Sequence, residues 1–527
     1  MVGVAAADNV SVLMPISMLG IYLHAVFITV TLGFPFVISA LLYKWSRTGD
    51  NDYYTTARIA TGVLAVNFAL GAITGTLVEF GLVQAWPGTI YAIATVAFTP
   101  LVLELVAFVG EIVFLIAFIV TLRWVRVWVS IGLMAGYFVF AAFSGMLITM
   151  VNSWLNVPWG TGALASVLYP FLPEYGPAVF QIPVLVTVKL ALVDNLLTVG
   201  TASQILQNPA VAKAVGISLN DPYIALSSPY ALASVLHNVT AAVIIGIALA
   251  AAALGYKHFK TGDPKYVKLL KSFIPILLVL LIIQPIVFGD NMGKAVASFM
   301  PTKFAMMEGA ETTIQNPIVA FLAYGDPSRP IYGFDEFRRA CEKHKDLTIA
   351  DVVHAVVPGY KPGPSGDIRL LDLCLQDLAK AEARLSVINS AYYTKIAAGV
   401  MALVSVVALS GSIYNLGPIS RVVRAIERSL GGKNLLFLLT LLTLLGSIFA
   451  SALGWYVREV GRKPWTVYGL LYPEELVTPV AISTPVTVAF TVIFTATALG
   501  GIYGIYLVAA RPLEFVKLLR RGAGVEE

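Results

Sequence analysis

Charged residues are scarce in this chain. Aspartate, glutamate, lysine and arginine make up 12% of its 527 residues, whereas 58% of the residues are hydrophobic. A soluble protein of this size usually carries about twice that charged share. The composition therefore predicts an all-α, polytopic membrane protein. The formal net charge of +5 is small, and we expect no nucleic-acid partner.

Cysteine is almost absent. The two cysteines, Cys341 and Cys374, both fall in one long polar loop. Two thiols cannot build a CxxC metal site or hold an iron–sulfur cluster, so these classes are excluded. One disulfide is expected if the loop faces an oxidising compartment, and two free thiols are the alternative.

Long apolar runs, by contrast, are abundant. A membrane-spanning helix needs about 20 apolar residues, and lipid offers no partner to an unpaired backbone group. The segments that meet or approach this length are 16–43, 59–78, 88–122, 127–151, 229–256, 272–289, 396–416, 434–457 and one within 476–510. A tenth apolar segment, 177–206, contains Lys189 and Asp194, and we interpret it as a re-entrant or interfacial helix. We see no cleavable signal peptide, so the first span is expected to act as the insertion signal.

Lysine and arginine are unevenly distributed between the two sides. With the N-terminus outside, 18 of them fall in inner segments and five in the short outer segments and the 152–228 loop. The other twelve lie in the 290–395 loop, which is too long for this comparison. We therefore predict an outer N-terminus and a cytoplasmic C-terminus in the cell membrane. The chain divides into a bundle at 1–289, an extracytoplasmic loop at 290–395 and a second bundle at 396–527.

Two of the five histidines lie inside uncharged spans. His258, His344 and His354 fall in loops, where solvated side chains are expected. His24 and His237 each lie eight residues from the outer end of a span, which corresponds to about 12 Å of depth. Their matched depth favours ligands of a redox cofactor, and hydrogen bonds between helices are the alternative interpretation.

Two acids interrupt the third span. Glu104 and Glu111 are seven residues apart, so they share one helix face about two turns apart. Ionisable residues inside a span are expensive and usually functional, and this pair suits a proton relay in which Glu111 is nearer the inner face. Two neutral carboxylic acids that hydrogen-bond neighbouring helices are the alternative. Glu79, near the outer end of the second span, could simply reach the interface.

The eighth span ends in an unusual cluster at the outer membrane edge. Arg458, Glu459 and Arg462 stand between Trp455 and Trp465. An aromatic belt with surface ion pairs would have this composition. A haem would also explain it, because a carboxylate can bind iron, arginine can bind propionates and tryptophan can pack against the ring edge.

A series of short motifs runs in order along nearly the whole chain. They are His24 with Thr31-Leu32-Gly33, Asn67-Phe68-Ala69-Leu70-Gly71, Thr74-Gly75, Glu79-Phe80, Trp86, Pro100-Leu101, Asn152-Ser153-Trp154 with Pro158, Pro229 before His237, Gly289-Asp290, Thr302-Lys303-Phe304-Ala305-Met306-Met307-Glu308-Gly309, and Gly454-Trp455 through Trp465. In this combination the chain resembles subunit I of the cytochrome bd family. The 454–465 stretch is the most distinctive part of the resemblance.

The resemblance implies a set of haem ligands. His24 matches the axial ligand of one haem of the oxygen-reducing pair, and Glu459 matches the carboxylate ligand of the other. His237 matches one ligand of the low-spin haem that takes electrons from quinol. Arg462 matches the arginine of the signature motif, and Trp455 matches a tryptophan near the haems.

The resemblance also implies the residues that handle quinol and protons. Lys303 and Glu308 match the loop residues implicated in quinol oxidation. Glu104 matches the acid beside the haem pair, and Glu111 matches the next acid on the proton route. On this interpretation, quinol releases protons outside, and oxygen is reduced to water with protons from the cytoplasm.

Several positions depart from the family pattern. The family's Arg-x-Met, whose methionine completes the low-spin haem, is replaced in this chain by Lys395-Ile396-Ala397. Met401 lies one turn further along, about 6 Å away, and could substitute only if the haem or the helix shifts. The two glutamates are seven rather than eight residues apart, and Lys463 replaces the usual glutamine. These departures indicate a divergent branch.

The resemblance thus predicts the core subunit of a quinol:oxygen oxidoreductase. It implies two or more b-type haems, with haem d as an option at the oxygen site, and a second membrane subunit as partner. A structural paralogue with an incomplete haem set is one alternative, and a non-redox proton-coupled transporter is another.

Overall fold

Helices form almost all of the ordered secondary structure. The computed structural model describes residues 2–89, 93, 98–157, 228–342, 345–348, 350–351, 364–469, 471–478 and 484–510. Within these ranges the backbone forms helices and three isolated β-bridges, without a strand. The predicted re-entrant segment 177–206 lies outside the described residues, as do His344 and His354.

Nine helical spans within the described ranges are long and apolar enough to cross a membrane, which confirms the sequence prediction. They are α1 (Val2–Thr48), α2 (Asn51–Ala85), α3 (Phe98–Thr121), α4 (Val127–Asn156), α5 (Pro229–Thr261), α7 (Ile274–Ile283) continued by a π-helical turn (Gln284–Gly289) and α8 (Asp290–Phe299), α13 (Leu385–Tyr414), α15 (Gly432–Val460) and α17 (Thr484–Ala510). The shorter helices are α6 (Lys265–Leu270), α9 (Pro301–Glu308), α10 (Pro317–Tyr324), α11 (Phe334–Cys341), α12 (Leu370–Glu382), α14 (Gly417–Leu430) and α16 (Pro473–Leu476).

Two helices extend into what the sequence predicts as the outer loop. The sixth span continues through α8 to Phe299 instead of ending at residue 289. Its polar residues do not end the helix, because Lys294 pairs with Asp290 one turn away, at 2.6 Å. The seventh span, α13, already begins at Leu385 rather than at residue 396. The segment between these two spans is therefore shorter than predicted, because both helices continue beyond the apolar residues of their spans.

The helices that carry His24 and His237 lie at the centre of the bundle. In α1 and α5, 56% of the most apolar window is buried, against 22% in α2, α3 and α4. The two central helices approach closely at Gly33 and Gly246, where a Cβ on Gly33 would lie 2.5 Å from the Gly246 Cα. Small residues allow such close contact between membrane helices. This crossing holds the two histidine-bearing helices against each other.

The segment predicted as the outer loop has a hydrophobic core of its own. Phe334 and Phe337 of α11 and Leu378 of α12 are fully buried, and they share one cluster with Trp465 and Tyr468. Cys341 and Cys374 form a disulfide with a Cα–Cα distance of 6.0 Å, which decides between the two alternatives left open by the sequence. The loop is thus a folded cap that packs on the segment following α15.

Candidate functional site

His24 is held by two consecutive residues of α2. Its Nδ1 lies 3.1 Å from the hydroxyl oxygen of Thr74, and that hydroxyl donates to the carbonyl oxygen of Leu70 at 2.9 Å. The hydroxyl therefore accepts from Nδ1–H, which fixes the tautomer and leaves the Nε2 lone pair available. A Cβ on Gly75 would lie 2.9 Å from the imidazole Cε1, so glycine provides the space for the ring.

A contact between the first and eighth spans connects α1, which carries His24, with α15, which carries Glu459. Tyr22, two residues before His24, donates a hydrogen bond to the carbonyl oxygen of Ala452 on α15 at 3.2 Å. The Glu459 carboxylate accepts from Asn152 at 3.0 Å and from Arg462 at 2.6 Å. A carboxylate has about four acceptor positions, so these two bonds leave capacity for a metal ion.

Arg458 is the centre of the hydrogen-bond network beside Glu459. Its guanidinium donates to Asn152 Oδ1 at 2.5 Å, to Ser234 Oγ at 2.5 Å and to Ser153 Oγ at 3.2 Å. The same group lies 5.1 Å from the ring centroid of Trp455. Arg458 therefore connects α4, α5 and α15 while it remains 4% exposed.

Arg462 retains unused donors. The residue is 4% exposed, and its Nε and Nη1 have no hydrogen-bond partner among the described residues. Only Nη2 is engaged, by Glu459. A buried guanidinium with free N–H groups is suited to a second anion. Next to it, burial and then the charge of Arg462 lower the pKa of Lys463 to about 8.

His237 lines a cleft at the end of the bundle that the sequence predicts to be outside. Gln284, in the π-helical turn, places its amide nitrogen 2.9 Å from the His237 carbonyl oxygen and 3.2 Å from Nδ1. A Cβ on Gly289 would lie 3.8 Å from the imidazole Cε1. Single-turn π segments are frequent at functional sites, and this one arranges the surroundings of His237.

Methionine sulfur is available on this cleft, although not from the predicted residue. Met292 on α8 and Met307 on α9 line the cleft together with Lys395, Trp455 and Arg458. Met401 is not among the described residues that line it. Ala397, at the family's methionine position, is exposed. The structure thus brings His237 together with two other thioethers.

Lys303 and Glu308 lie at opposite ends of the short helix α9. Lys303 is 1% exposed, and its ammonium donates to the Arg458 carbonyl oxygen at 3.1 Å. Burial, and then the charge of Arg458, hold the pKa of Lys303 well below its usual value. Glu308 accepts a hydrogen bond from the Tyr393 hydroxyl at 2.9 Å. Burial raises the pKa of Glu308, and the bond from Tyr393 partly opposes this effect.

The two acids of α3 both face the protein. Glu104 accepts a hydrogen bond from the Ser144 hydroxyl of α4 at 3.0 Å. Glu111 is 5% exposed, in the interior of the bundle. Their placement agrees with the shared helix face expected from their spacing.

The side chains of the site can be compared with the ligands that a haem or a metal cluster needs. The described residues contain no group of three or more histidine, cysteine, aspartate or glutamate side chains that could hold a metal ion. A haem needs only one or two axial side chains, so single ligands such as His24 and His237 fit it. The free N–H groups of Arg462 fit the carboxylates that a haem carries.

Several residues of the site were not assigned a role from the sequence. Thr74, Gln284, Ser144 and Tyr393 each orient a predicted site residue. Thr74-Gly75 and Asn152-Ser153 do fall in the motifs of the family resemblance, and those motifs could have pointed to a role for them. Gln284 and Tyr393 had no such signal, because their partners lie 47 and 85 residues away in sequence.

The chain is similar to a family of respiratory proteins along most of its length. A family model, "Cytochrome bd terminal oxidase subunit I", matches residues 17–512. A Bacillus subtilis protein, "Putative cytochrome bd menaquinol oxidase subunit I", is 30% identical over 139 residues. That match covers 26% of this chain and 31% of the relative, so it spans less than a third of the relative's length.

The fold is also similar to a solved structure. A chain of the bd oxidase from Geobacillus thermodenitrificans has a TM-score of 0.67 and 18% sequence identity to this chain. The similarity covers 96% of this chain and 99% of that chain. At this level of identity, the comparison shows a shared fold.

Proposed function

Because the chain belongs to the cytochrome bd terminal oxidase subunit I family, we propose that it is the core subunit of a quinol oxidase. The overall reaction oxidises two quinols and reduces one oxygen molecule to two waters. The observation that carries this proposal is the environment of His24. Its Nδ1 lies 3.1 Å from the Thr74 hydroxyl, and its Nε2 lone pair is left available to bind a metal ion. When bound, haem would supply the electron transfer and the oxygen chemistry.

His24, Glu459 and His237 are the side chains that would hold the haems. His24 and Glu459 would serve the oxygen-reducing pair, of b type or with haem d, and His237 the low-spin b haem. Arg462 would bind haem carboxylates through its free N–H groups, and Trp455 would pack against a ring. Arg458, which is buried 3.9 Å from Glu459, would add a positive charge next to these groups.

The low-spin site lacks the family's methionine. Met292 and Met307 line the cleft with His237, whereas Met401 would require a shift of α13 to reach it. Ligation by methionine together with histidine would raise the potential of the haem, so the residue that supplies this sulfur matters for electron entry. The alternative, a paralogue with an incomplete haem set, draws its support from the exposed Ala397.

Quinol oxidation would use the outer cap. Glu308 would accept a quinol proton as a general base, with Tyr393 orienting its carboxylate at 2.9 Å. Lys303 would act differently, because it is buried against Arg458 and faces the His237 cleft. Lys303 would thus serve as a buried hydrogen-bond donor between the quinol region and the cleft.

Protons for oxygen reduction would come from the cytoplasm, through Glu111 and then Glu104, with Ser144 holding the latter. This direction rests on an outer N-terminus and a cytoplasmic C-terminus. The Cys341–Cys374 disulfide supports the same orientation, because disulfides persist outside the cytoplasm.

A second membrane subunit would cover part of the lipid-facing surface. The outer face of α3 exposes apolar side chains such as Leu105, Val113 and Val120. Only 22% of the α3 window is buried by this chain, which leaves a broad surface for a partner helix or for lipid.

A haem count and one substitution test the proposal. The oxidase, purified with its partner, should show two or more haems per chain in a pyridine haemochrome spectrum, which also separates haem b from haem d. His237→Ala should lose both the low-spin spectrum and quinol-driven oxygen uptake. Absence of haem would refute the oxidase function and leave the transporter, and one haem per chain would favour the paralogue.

A further inference from the structure

Helix α14 connects the seventh and eighth spans at the end of the bundle that the sequence predicts to be cytoplasmic. Asn415 and Gly417 before it and Gly431 after it have φ values of 55°, 42° and 82°, so the chain turns sharply at both ends of the helix. The Tyr414 hydroxyl, at the end of α13, donates to the carbonyl oxygen of Lys271, which lies between α6 and α7, at 2.7 Å. Both ends of α14 are therefore fixed at the level where membrane spans end.

α14 packs against the bundle instead of projecting away from it. Val423, near its middle, is 3% exposed and belongs to the same hydrophobic cluster as Ile413 and Leu435 of the flanking spans. A Cβ on Gly411 would lie 2.4 Å from Cγ2 of Ile419, so the start of α14 folds back over the last turn of α13. Gly411 lies about 5 Å inside the end of α13, counted along its axis. The first turn of α14 is thus level with the end of a membrane span.

An apolar stripe on α14 is left uncovered. Ile419, Val422, Ile426 and Leu430 stand at positions i, i+3, i+7 and i+11, so they share one face of the helix. Each of them is between 37% and 63% exposed. The helix is about 21 Å long, and the stripe follows most of that length.

Three arginines lie on the opposite face of α14. Arg421, Arg424 and Arg428 are exposed and stand at i, i+3 and i+7, and at about 100° per residue their common direction is roughly opposite to the apolar stripe. In the part of the chain that the structure describes, no carboxylate forms an ion pair with any of them. Glu427, the one acid of α14, is half-buried and turned towards the next helix, since a Cβ on Gly432 would lie 2.5 Å from its Oε1. The arginine face is therefore positively charged.

We infer that α14 lies in the lipid headgroup layer and binds anionic phospholipids of that leaflet. An interfacial helix buries its apolar face about 5–10 Å into the boundary between headgroups and acyl chains, and the turns at both ends hold α14 at this level. Guanidinium groups without a carboxylate partner complement the phosphates of a negatively charged headgroup layer. A partner protein could cover the apolar stripe, but it would leave the arginine face without an anion. The inference does not depend on the proposed oxidase function.

Spin labelling tests the position of the helix. The only two cysteines of the chain form the Cys341–Cys374 disulfide, so a cysteine introduced on α14 can carry a nitroxide, and the unaltered complex gives the background. Val422→Cys and Arg424→Cys place the label on opposite faces of the purified complex in phosphatidylglycerol nanodiscs. At position 422 we expect the nitroxide to collide mainly with oxygen, which concentrates in lipid. At position 424 it should collide mainly with a water-soluble nickel chelate.

Two outcomes of this experiment would overturn the inference. Access of the nickel chelate to the label at position 422 would place the apolar stripe in water. Protection of that label from both reagents would show that a protein covers the stripe. Both positions are exposed in the chain, so neither substitution disturbs the packing of α14 through Val423.

Native mass spectrometry tests the preference for anionic lipid. The purified complex would be titrated with phosphatidylglycerol or phosphatidylcholine, and we expect phosphatidylglycerol to bind more tightly. Replacing Arg421, Arg424 and Arg428 with glutamine should reduce this preference by about fivefold or more, because each basic residue near an anionic surface contributes about that factor. The matched control replaces the same three arginines with lysine, which keeps the charge and should keep the preference. An equal affinity for the two lipids, or an unchanged preference in the glutamine variant, would overturn the inference.

Discussion

His24 Nδ1 lies 3.1 Å from the Thr74 hydroxyl, and the neighbouring Gly75 makes room for the same imidazole. Two adjacent residues of α2 thus control the tautomer of the histidine and the position of its ring. An orienting partner of this kind commonly matters nearly as much as the ligand itself. The Thr74-Gly75 pair therefore belongs to the candidate site although neither residue would contact iron.

Thr74→Val should weaken the His24 site while the fold is retained. Valine keeps the shape of threonine but cannot accept from Nδ1–H, so both tautomers become accessible. We expect oxygen reduction to fall by about 10- to 100-fold, with a changed high-spin haem spectrum. Thr74→Ser should largely restore both.

The control for this substitution is Thr76→Val. Thr76 is exposed on the same helix, and its hydroxyl donates to the Ala72 carbonyl oxygen at 2.9 Å. An equal loss of activity in the two valine variants would show that the Thr74 contact has no special role.

The sulfur that completes the low-spin haem should come from the His237 cleft. Met292→Leu preserves size and removes the thioether, so it should convert the low-spin signal to high spin in near-infrared magnetic circular dichroism. Met401→Leu should leave the signal intact, because Met401 does not line the cleft in the described structure. A loss of the signal in Met401→Leu alone would show that α13 shifts, and a loss in Met307→Leu alone would assign the ligand to α9.

The sequence predicted the spans well, because their apolar length is a local property. It also suggested His24 and His237 as candidate ligands, since a histidine in an uncharged span is visible without a structure. The central position of Arg458 in the hydrogen-bond network was not predicted, because its partners Asn152 and Ser234 lie 306 and 224 residues away in sequence. The end of the sixth span was misplaced because the Asp290–Lys294 pair continues a helix that apolar length alone would end.

Arg462→Lys should lower the haem content. Lysine keeps the charge beside Glu459 but loses the planar fork, and with it the Nε and Nη1 nitrogens, which have no partner in the described structure. We expect fewer haems per purified chain and a weaker retention of haem on dilution. Arg424→Lys, on α14 away from this site, is the control. Full haem content in Arg462→Lys would show that the free N–H groups do not bind haem carboxylates.

The disulfide should stabilise the outer cap. Closing a loop with a sequence separation of 33 residues is worth about 4 kcal/mol in the chain-entropy description. Replacing both cysteines with serine should speed hydrogen exchange in α11 and α12, with little effect in α1 or α5. A reductant should reproduce this change in the unaltered protein and have no effect on the double variant. Equal exchange rates with and without the bond would contradict the prediction.

Tyr393→Phe should move the acid limb of quinol oxidation to higher pH. Glu308 must be ionised to accept a quinol proton, so the rate should fall as the pH drops through its pKa. Burial already places that pKa above the ordinary 4.5, and the Tyr393 hydrogen bond holds it down by stabilising the carboxylate. Loss of this bond raises the pKa further, so a larger fraction of Glu308 is protonated at any given pH.

The measurement is the pH profile of quinol-driven oxygen uptake at saturating quinol. Glu308→Gln should lower the rate by about 10²- to 10⁴-fold and abolish the acid limb, because glutamine cannot act as a base. Tyr414→Phe is the matched control, since its hydroxyl bonds the Lys271 carbonyl oxygen at the far end of α13. If Tyr393→Phe left the acid limb in place, or moved it to lower pH, Glu308 would not be the group whose ionisation limits quinol oxidation.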